Sequence, residues 1–176
     1  MGAFKTLRPD NFTPEVINQV INLGMRSGTW QESDREYYKD QFLNPRNISI
    51  VYCNESGLIV GYILARPHNE AVWDYLDADP IMVKGEIKMF YVDHVNVDES
   101  FSGRSLGINL ILEMAKIANS QGVFRFSMHC RVINGLSKVI QHKFRKGLDI
   151  VRRIEYYVDC NNEPFDYMEI NYGNSS

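Results

Sequence analysis

The residues best suited to chemistry lie between Val95 and Ala118. Alternating apolar residues end at Val97, and a polar loop containing Gly103 follows. Apolar or small residues then recur at Gly107, Leu110, Ile111, Met114, Ala115 and Ala118, the three-and-four spacing of a helix with one buried face. A strand that breaks through such a turn into a helix N-terminus aims several backbone N–H groups at one spot. With the helix dipole they form a site for an anion, typically a phosphate. Gly103 and Gly107 permit close backbone approach, Arg104 adds a cation, and the hydroxyls of Ser102 and Ser105 can hydrogen-bond a phosphate. The plainer reading is that the glycines only make a tight turn.

Other chemistries find less support. Cys53, Cys130 and Cys160 are odd in number and widely spaced, which matches no zinc-ligand pair and suits a reducing, cytoplasmic setting. The net charge of −3 and pI near 5.8 give no general attraction to nucleic acid or anionic membranes. No apolar run approaches the roughly 20 residues needed to span a bilayer, and the first residues lack a signal-peptide core.

The elements that must position the loop are legible in order. Residues 1–176 are expected to form one domain, with 173–176 a frayed tail. Phe4 to Arg8 reads as an edge strand. Thr13 caps a helix with Pro14 at its first position, running past Met25 and stopping near Gly28. Ser33 caps a second helix from Asp34 to Phe42. Strands Ile48–Cys53 and Leu58–Leu64 flank a turn at Asn54–Gly57. Residues 67–85, with Trp73, Tyr75 and the acids Glu70, Asp74, Asp77 and Asp79, read as a lid, insertion or binding loop. Glu86 to Val97 is a long strand with Met89, Tyr91, Asp93, Val95 and Val97 on one face. After the central helix Gly122 marks a stop, and Phe124–Cys130 is a strand. A helix from Asn134 buries Leu136, Val139, Ile140 and Phe144, and Ile150–Val158 pairs with Phe165–Tyr172 as an antiparallel hairpin. This is a mixed α/β sheet in which only the middle segments suit a parallel crossover.

This order resembles the GNAT superfamily of acetyl-coenzyme A-dependent N-acetyltransferases across residues 3 to 172. The family's central strand ends in Val, then an aromatic and Gln/Arg-Gly-x-Gly-x-Gly/Ala. Here Val97, Phe101, Gly103, Gly107 and the pair Leu110-Ile111 line up without a gap, while Ser102 replaces the Gln/Arg and Ser105 a glycine. Met128 to Gln141 follows the family's next strand and helix, with Asn134 in place, Ser137 where Ala is usual, and Gln141 where a Tyr often acts as general acid. The resemblance implies the GNAT-like acyl-CoA N-acyltransferase fold: a central, mostly antiparallel sheet with a splayed strand pair and flanking helices.

The resemblance further implies an enzyme that binds acetyl-CoA through Val95, Val97, Phe101, Ser102, Gly103, Arg104, Ser105, Gly107, Ile108, Asn134, Ser137 and Gln141. Asn134 also suits a plain helix N-cap. Where many members carry a basic Glu, this chain has Asp93 beside His94. Either can take the amine's proton, directly or through water, and alternation points them to opposite faces, so only one serves. Asp93 is favoured, and His94 also suits a packing role. Gln141 cannot donate a proton to the leaving thiolate; His142, a Tyr from elsewhere, or an unassisted departure remain open. Trp30, Glu32, Tyr37, Trp73 and Tyr75 lie in the family's variable parts, and aromatics with carboxylates suit a small cationic amine. The expected partner is therefore a small-molecule amine, with no nucleic acid, membrane or metal; a homodimer is compatible. A peptide acceptor and a non-catalytic coenzyme A-binding module are the alternatives.

Overall fold

Apolar residues alternate or recur every third or fourth position along most of the chain, and both patterns become real elements. A computed structural model describes residues 2–8, 10–26, 35–82, 84–158 and 161–173. The elements in chain order are β1 (Ala3–Thr6), α1 (Pro14–Arg26), α2 (Arg35–Leu43), β2 (Ile48–Cys53), β3 (Ile59–Pro67) and α3 (His68–Tyr75). They continue with β4 (Phe90–Val97), a 3₁₀ turn at Glu99–Phe101, α4 (Leu106–Ser120), β5 (Arg125–Arg131), α5 (Leu136–Lys143), β6 (Leu148–Tyr157) and β7 (Glu163–Asn171). The strands hydrogen-bond in the order β1-β2-β3-β4-β5-β7-β6. Among the described strand pairs, β4 and β5 pair in parallel, joined through α4 as the crossover pattern predicts, and β1·β2, β2·β3, β5·β7 and β6·β7 are antiparallel.

The chain divides into two compact units, Met1–Ala65 with His94–Ile117, and Arg66–Asp93 with Ala118–Ser176. In the first, the side-chain oxygen of Thr13 accepts from the Val16 N–H at 3.3 Å, which fixes the start of α1. That helix buries Val20, Ile21 and Leu23 against Phe42, Val51, Tyr62 and Leu64. At the β2–β3 turn Gly57 takes a left-handed φ of 82°, and the Asn54 side chain accepts from the N–H groups of Ser56 and Leu58. Along α4, every residue of the expected stripe from Leu110 to Ala118 is buried. Gly61 on β3 makes room for α4: an added Cβ would stand 3.2 Å from Leu106 and 3.3 Å from Leu110.

In the second unit one expectation is refined and two are corrected. Residues 67–85, read as a lid, insertion or binding loop, carry a helix, α3, over their first half. Ala71, Val72 and Tyr75 share one helical face and pack with Met82, Tyr91 and Tyr167. The acids and aromatics had disguised a two-turn helix. The strand predicted from Glu86 begins only at Phe90, since the preceding backbone serves α3: Met89 C=O accepts from the His68 N–H at 3.0 Å. The Asn69 side chain likewise bonds both backbone groups of Gly85. Finally, α5 begins at Leu136 and buries Ser137 and Ile140, while Val139 is 51% exposed. The buried serine is stabilised by a carboxylate, as described below. Gly122 ends α4 with a φ of 74°, as its position suggests. The expected helix stop at Gly28, the Ser33 cap and most of the tail lie outside the described residues.

Candidate active site

The loop after β4 turns tightly into the N-terminus of α4. Asp98 accepts from the Ser100 hydroxyl at 2.6 Å and the Ser100 N–H at 3.1 Å, and Arg26 pairs with it at 3.1 Å. The Ser100 hydrogen bonds hold the Asp98 carboxyl below the usual carboxylate range. Gly103 then turns left-handed with φ 71°, and so does Ser105 with φ 59°. Ser105 C=O accepts from the Asn109 N–H at 3.0 Å, so the N–H groups of Leu106, Gly107 and Ile108 precede the first intrahelical bond. Arg104 lies 5.2 Å from the Phe101 ring. A Cβ at Gly107 would meet only Val95 and Val97, at 3.7 and 3.8 Å, which is ordinary contact. The fold therefore does not require glycine there, whereas a phosphate resting on the backbone would.

Along β4, the parallel ladder covers only Phe90↔Phe126, Tyr91↔Ser127 and Val92↔Met128, although β4 continues to Val97. The last residues of β4 are half-buried at Val95 and Val97, and Asn96 donates to the buried Tyr62 hydroxyl. The two candidate bases diverge as alternation requires. His94 Nε2 meets the Tyr38 hydroxyl at 2.8 Å, and Tyr37, 44% exposed, stands edge-on to Tyr38 at 5.1 Å. The Asp93 side chain is almost wholly buried. Its Oδ2 pairs with Arg66 Nε at 2.9 Å, its Oδ1 accepts from the Tyr75 hydroxyl, and Arg66 also pairs with Asp74 at 2.7 Å.

A strand that runs through a left-handed turn into a helix N-terminus is the arrangement the sequence resemblance leads one to expect. Independently, residues 17–162 match the model of the acetyltransferase (GNAT) family. The chain belongs to the GNAT family. It is an acyltransferase that uses acetyl-CoA. Several solved structures are similar to it in fold. The aminoglycoside 6'-N-acetyltransferase from Enterococcus faecium is 16% identical over 97% of each chain, with a TM-score of 0.65. Arabidopsis thaliana NAA60, solved with acetyl-CoA, is 16% identical over 100% of each chain, with a TM-score of 0.68. The ribosomal-protein-S18-alanine N-acetyltransferase from Escherichia coli is 12% identical, covering 98% of this chain and 94% of that one, with a TM-score of 0.66. No curated protein sequence matches.

The other residues suggested by the GNAT resemblance are scattered. Asn134 Oδ1 accepts from the Leu136 N–H at 3.0 Å just before α5, where Gly135 in a left-handed conformation is the cap. Ser137 and Gln141 join a buried hydrogen-bond group on Asp166: the Ser137 hydroxyl donates to the carboxylate, Gln141 donates to Ser137 at 2.9 Å, and Arg153 closes it at 2.6 Å. His142 is exposed and lines an open cavity of about 340 Å³ with Lys143, Arg145 and Lys146. Burial and then Asp166 push the Cys130 thiol far up, so it is inert as a nucleophile. Trp73 is 64% exposed, and the chain's own Lys84 sits over its ring at 4.1 Å. Tyr75 joins Asp93. Trp30 and Glu32 lie outside the described residues.

Sequence reasoning missed a polar group in the second unit. His129 bonds Asp79 through Nε2 at 2.9 Å and the Tyr91 hydroxyl through Nδ1 at 2.8 Å, and Arg152 pairs with Asp79. Asp79 had counted as one of four loop acids, yet its side chain is 1% exposed. The available signal was its setting between Ala78 and Pro80.

Proposed function

We propose that this acyltransferase moves the acetyl group of acetyl-CoA to the primary amine of a small molecule, by direct attack within a ternary complex. The loop from Phe101 to Ile108 would hold the pyrophosphate by backbone N–H groups, with Arg104, Ser102 and Ser105 adding side-chain contacts. Val95 and Val97 offer main-chain groups beyond the β4–β5 ladder for the pantetheine arm, and Asn134, Ser137 and Gln141 belong to the same reading. The bound coenzyme supplies a thioester carbonyl open to attack. Asp93 takes the ammonium proton, directly or through water, which leaves the amine a nucleophile. Tyr75 and Arg66 fix the carboxylate's orientation. His94, tied to Tyr38, serves as a packing residue. His142 is retained as the acid candidate for the leaving thiolate. The setting is cytoplasmic, in keeping with the free, buried Cys53 and Cys130, and no described helix is long and apolar enough to cross a membrane.

The observation that carries the acceptor class is the burial of Asp93, 1% exposed, among Tyr75 and Tyr91. Only a slim cation reaches such a carboxylate, and aromatic faces favour it. Thiol release from acetyl-CoA across a panel of small polyamines, aminoglycosides and peptide N-termini tests this reading. Turnover is expected with the small amines; turnover confined to the peptides would replace the acceptor class. Asp93→Asn is expected to cut kcat/KM by roughly 10²–10⁴-fold while coenzyme A still stabilises the protein thermally. An unchanged rate and pH profile would remove Asp93 as the base.

A further inference from the structure

Asp93 shares its cation with a second carboxylate. The Arg66 guanidinium, at the end of β3, pairs through Nε with Asp93 Oδ2 at 2.9 Å and through Nη1 with Asp74 Oδ2 at 2.7 Å. The Arg66 side chain is 6% exposed, that of Asp93 1% and that of Asp74 44%. One end of this row of alternating charges is therefore dry, and the other stands in water. Asp74 lies in the last turn of α3, where the helix dipole disfavours a negative charge. The helix gains nothing from an acid at that position, whereas the guanidinium does.

Resting on the reading of Asp93 as the base, we propose that Asp74 is a positioning residue for the proton transfer, acting on Asp93 through Arg66. Before the transfer, Asp74 takes up one side of the guanidinium, so Asp93 is not paired so fully that it ceases to be basic. After the transfer Asp93 is a neutral acid, and Asp74 remains as the counter-ion of Arg66. In its absence the step would strand a buried guanidinium beside an uncharged partner, a state that protein interiors strongly disfavour. The step itself moves one proton from the ammonium nitrogen to an Asp93 oxygen. The electron pair of the broken N–H bond stays on nitrogen for attack on the thioester, and the proton leaves to water after product departs.

The other groups around Asp93 keep their charge near neutral pH. Burial, then the Asp93 charge, holds the Tyr75 phenol well above its usual range; burial, then Tyr157 and Asp93, does the same for Tyr91. Both phenols stay neutral, and Tyr75 donates to Asp93 Oδ1. On β5, the His129 ring stands 5.9 Å from that of Tyr75 and 5.7 Å from that of Tyr91, and burial lowers its pKa, which keeps it neutral at pH 7. Arg152 on β6 is paired with Asp79, and Glu169 on β7 accepts from the Tyr167 hydroxyl. Asp74 is thus a charge on the Asp93 group that a substitution at a half-exposed position can remove.

Two readouts test the proposal, one of them without turnover. Side-chain carboxyl ¹³C titration of the whole protein, with Asp93 assigned by its loss in Asp93→Asn, follows the protonation of Asp93 directly. Asp74→Asn should move that titration and the acid limb of the kcat/KM profile together, to lower pH by about 0.5–1. Asp74→Glu keeps the charge and should return both to their wild-type positions, with KM for acetyl-CoA within about twofold in each variant. If Asp74→Asn leaves the Asp93 titration in place, the proposal is overturned whatever the activity, and a lowered melting temperature on its own would mean that Asp74 only pins α3 to β3. A titration that moves while the acid limb stays, in an enzyme that Asp93→Asn inactivates, overturns the role in proton transfer. Wild-type turnover by Asp93→Asn instead removes the base, and the proposal with it, while the acetyltransferase reading stands.

Discussion

At the scale of single residues, Ser105 is the most informative departure from the family's loop. The position that resembles a family glycine carries a side chain, yet its φ of 59° is left-handed all the same. An L-residue held there costs about 1–2 kcal/mol. The Ser105 C=O meanwhile accepts the first bond of α4, from the Asn109 N–H. Ser105→Gly should therefore raise stability by about 1 kcal/mol in urea unfolding and keep affinity for coenzyme A within a few-fold. A loss of stability would mean the hydroxyl supports the turn in a way the backbone angle does not reveal. The sequence made this loop legible because its signal is local: glycines, a broken alternation and a new period within a dozen residues. Asp93 was singled out by its place four residues before Val97, where the resemblance puts a carboxylate. Its partners were not, because Arg66 on β3 and Tyr75 on α3 reach it from 27 and 18 positions away, and α3's acidic, aromatic composition looked like a loop.

At the scale of elements, α4 is anchored at one glycine and left open at another. Gly61 lets the helix lie against β3, with Leu106 and Leu110 occupying the space a side chain would fill. Gly107 faces no such constraint. The two substitutions should separate cleanly. Gly61→Val overpacks a filled interface and is expected to cost about 1–3 kcal/mol, more than the strand propensity it gains. Gly107→Ala adds a better helix former to the first turn, so the melting temperature should hold or rise. Under the proposed pyrophosphate site, its affinity for coenzyme A should nevertheless fall tenfold or more. If Gly107→Ala binds coenzyme A normally, the pyrophosphate does not rest on this turn. The helical stripe of α4 was readable because a long element repeats its signal several times. In the shorter α5 the apolar pattern favoured Val139, but a hydrogen bond to Asp166 puts Ser137 inside instead. Periodicity cannot anticipate such a bond when its partner comes 29 residues later.

At the scale of the whole molecule, the buried His129–Asp79 pair makes stability depend on pH. The folded protein keeps His129 neutral to a lower pH than the unfolded chain, whose histidine titrates near 6.5. Below about 6.5 the unfolded state binds that proton first, so stability is full above this window and falls as the pH drops through it. Asp79 acts at lower pH. Its carboxyl titrates at about 2 when folded against 3.8 ordinarily, so its contribution of roughly 2 kcal/mol is present above pH 4 and lost as the pH falls toward 2. Two separate acid limbs are expected in the melting temperature, the first belonging to the histidine. His129→Gln can still donate to Asp79 but cannot become charged, so it should flatten the limb between about pH 6.5 and 5 and leave the lower one in place. Replacing Asp79 with Asn should do the reverse, removing the lower limb and lowering stability at pH 7, where the Asp79 carboxylate no longer pairs with Arg152. A wild-type melting temperature that stays level from pH 7 to 5 would mean that His129 is not held neutral by its surroundings, and would contradict the electrostatics of this buried group as a whole.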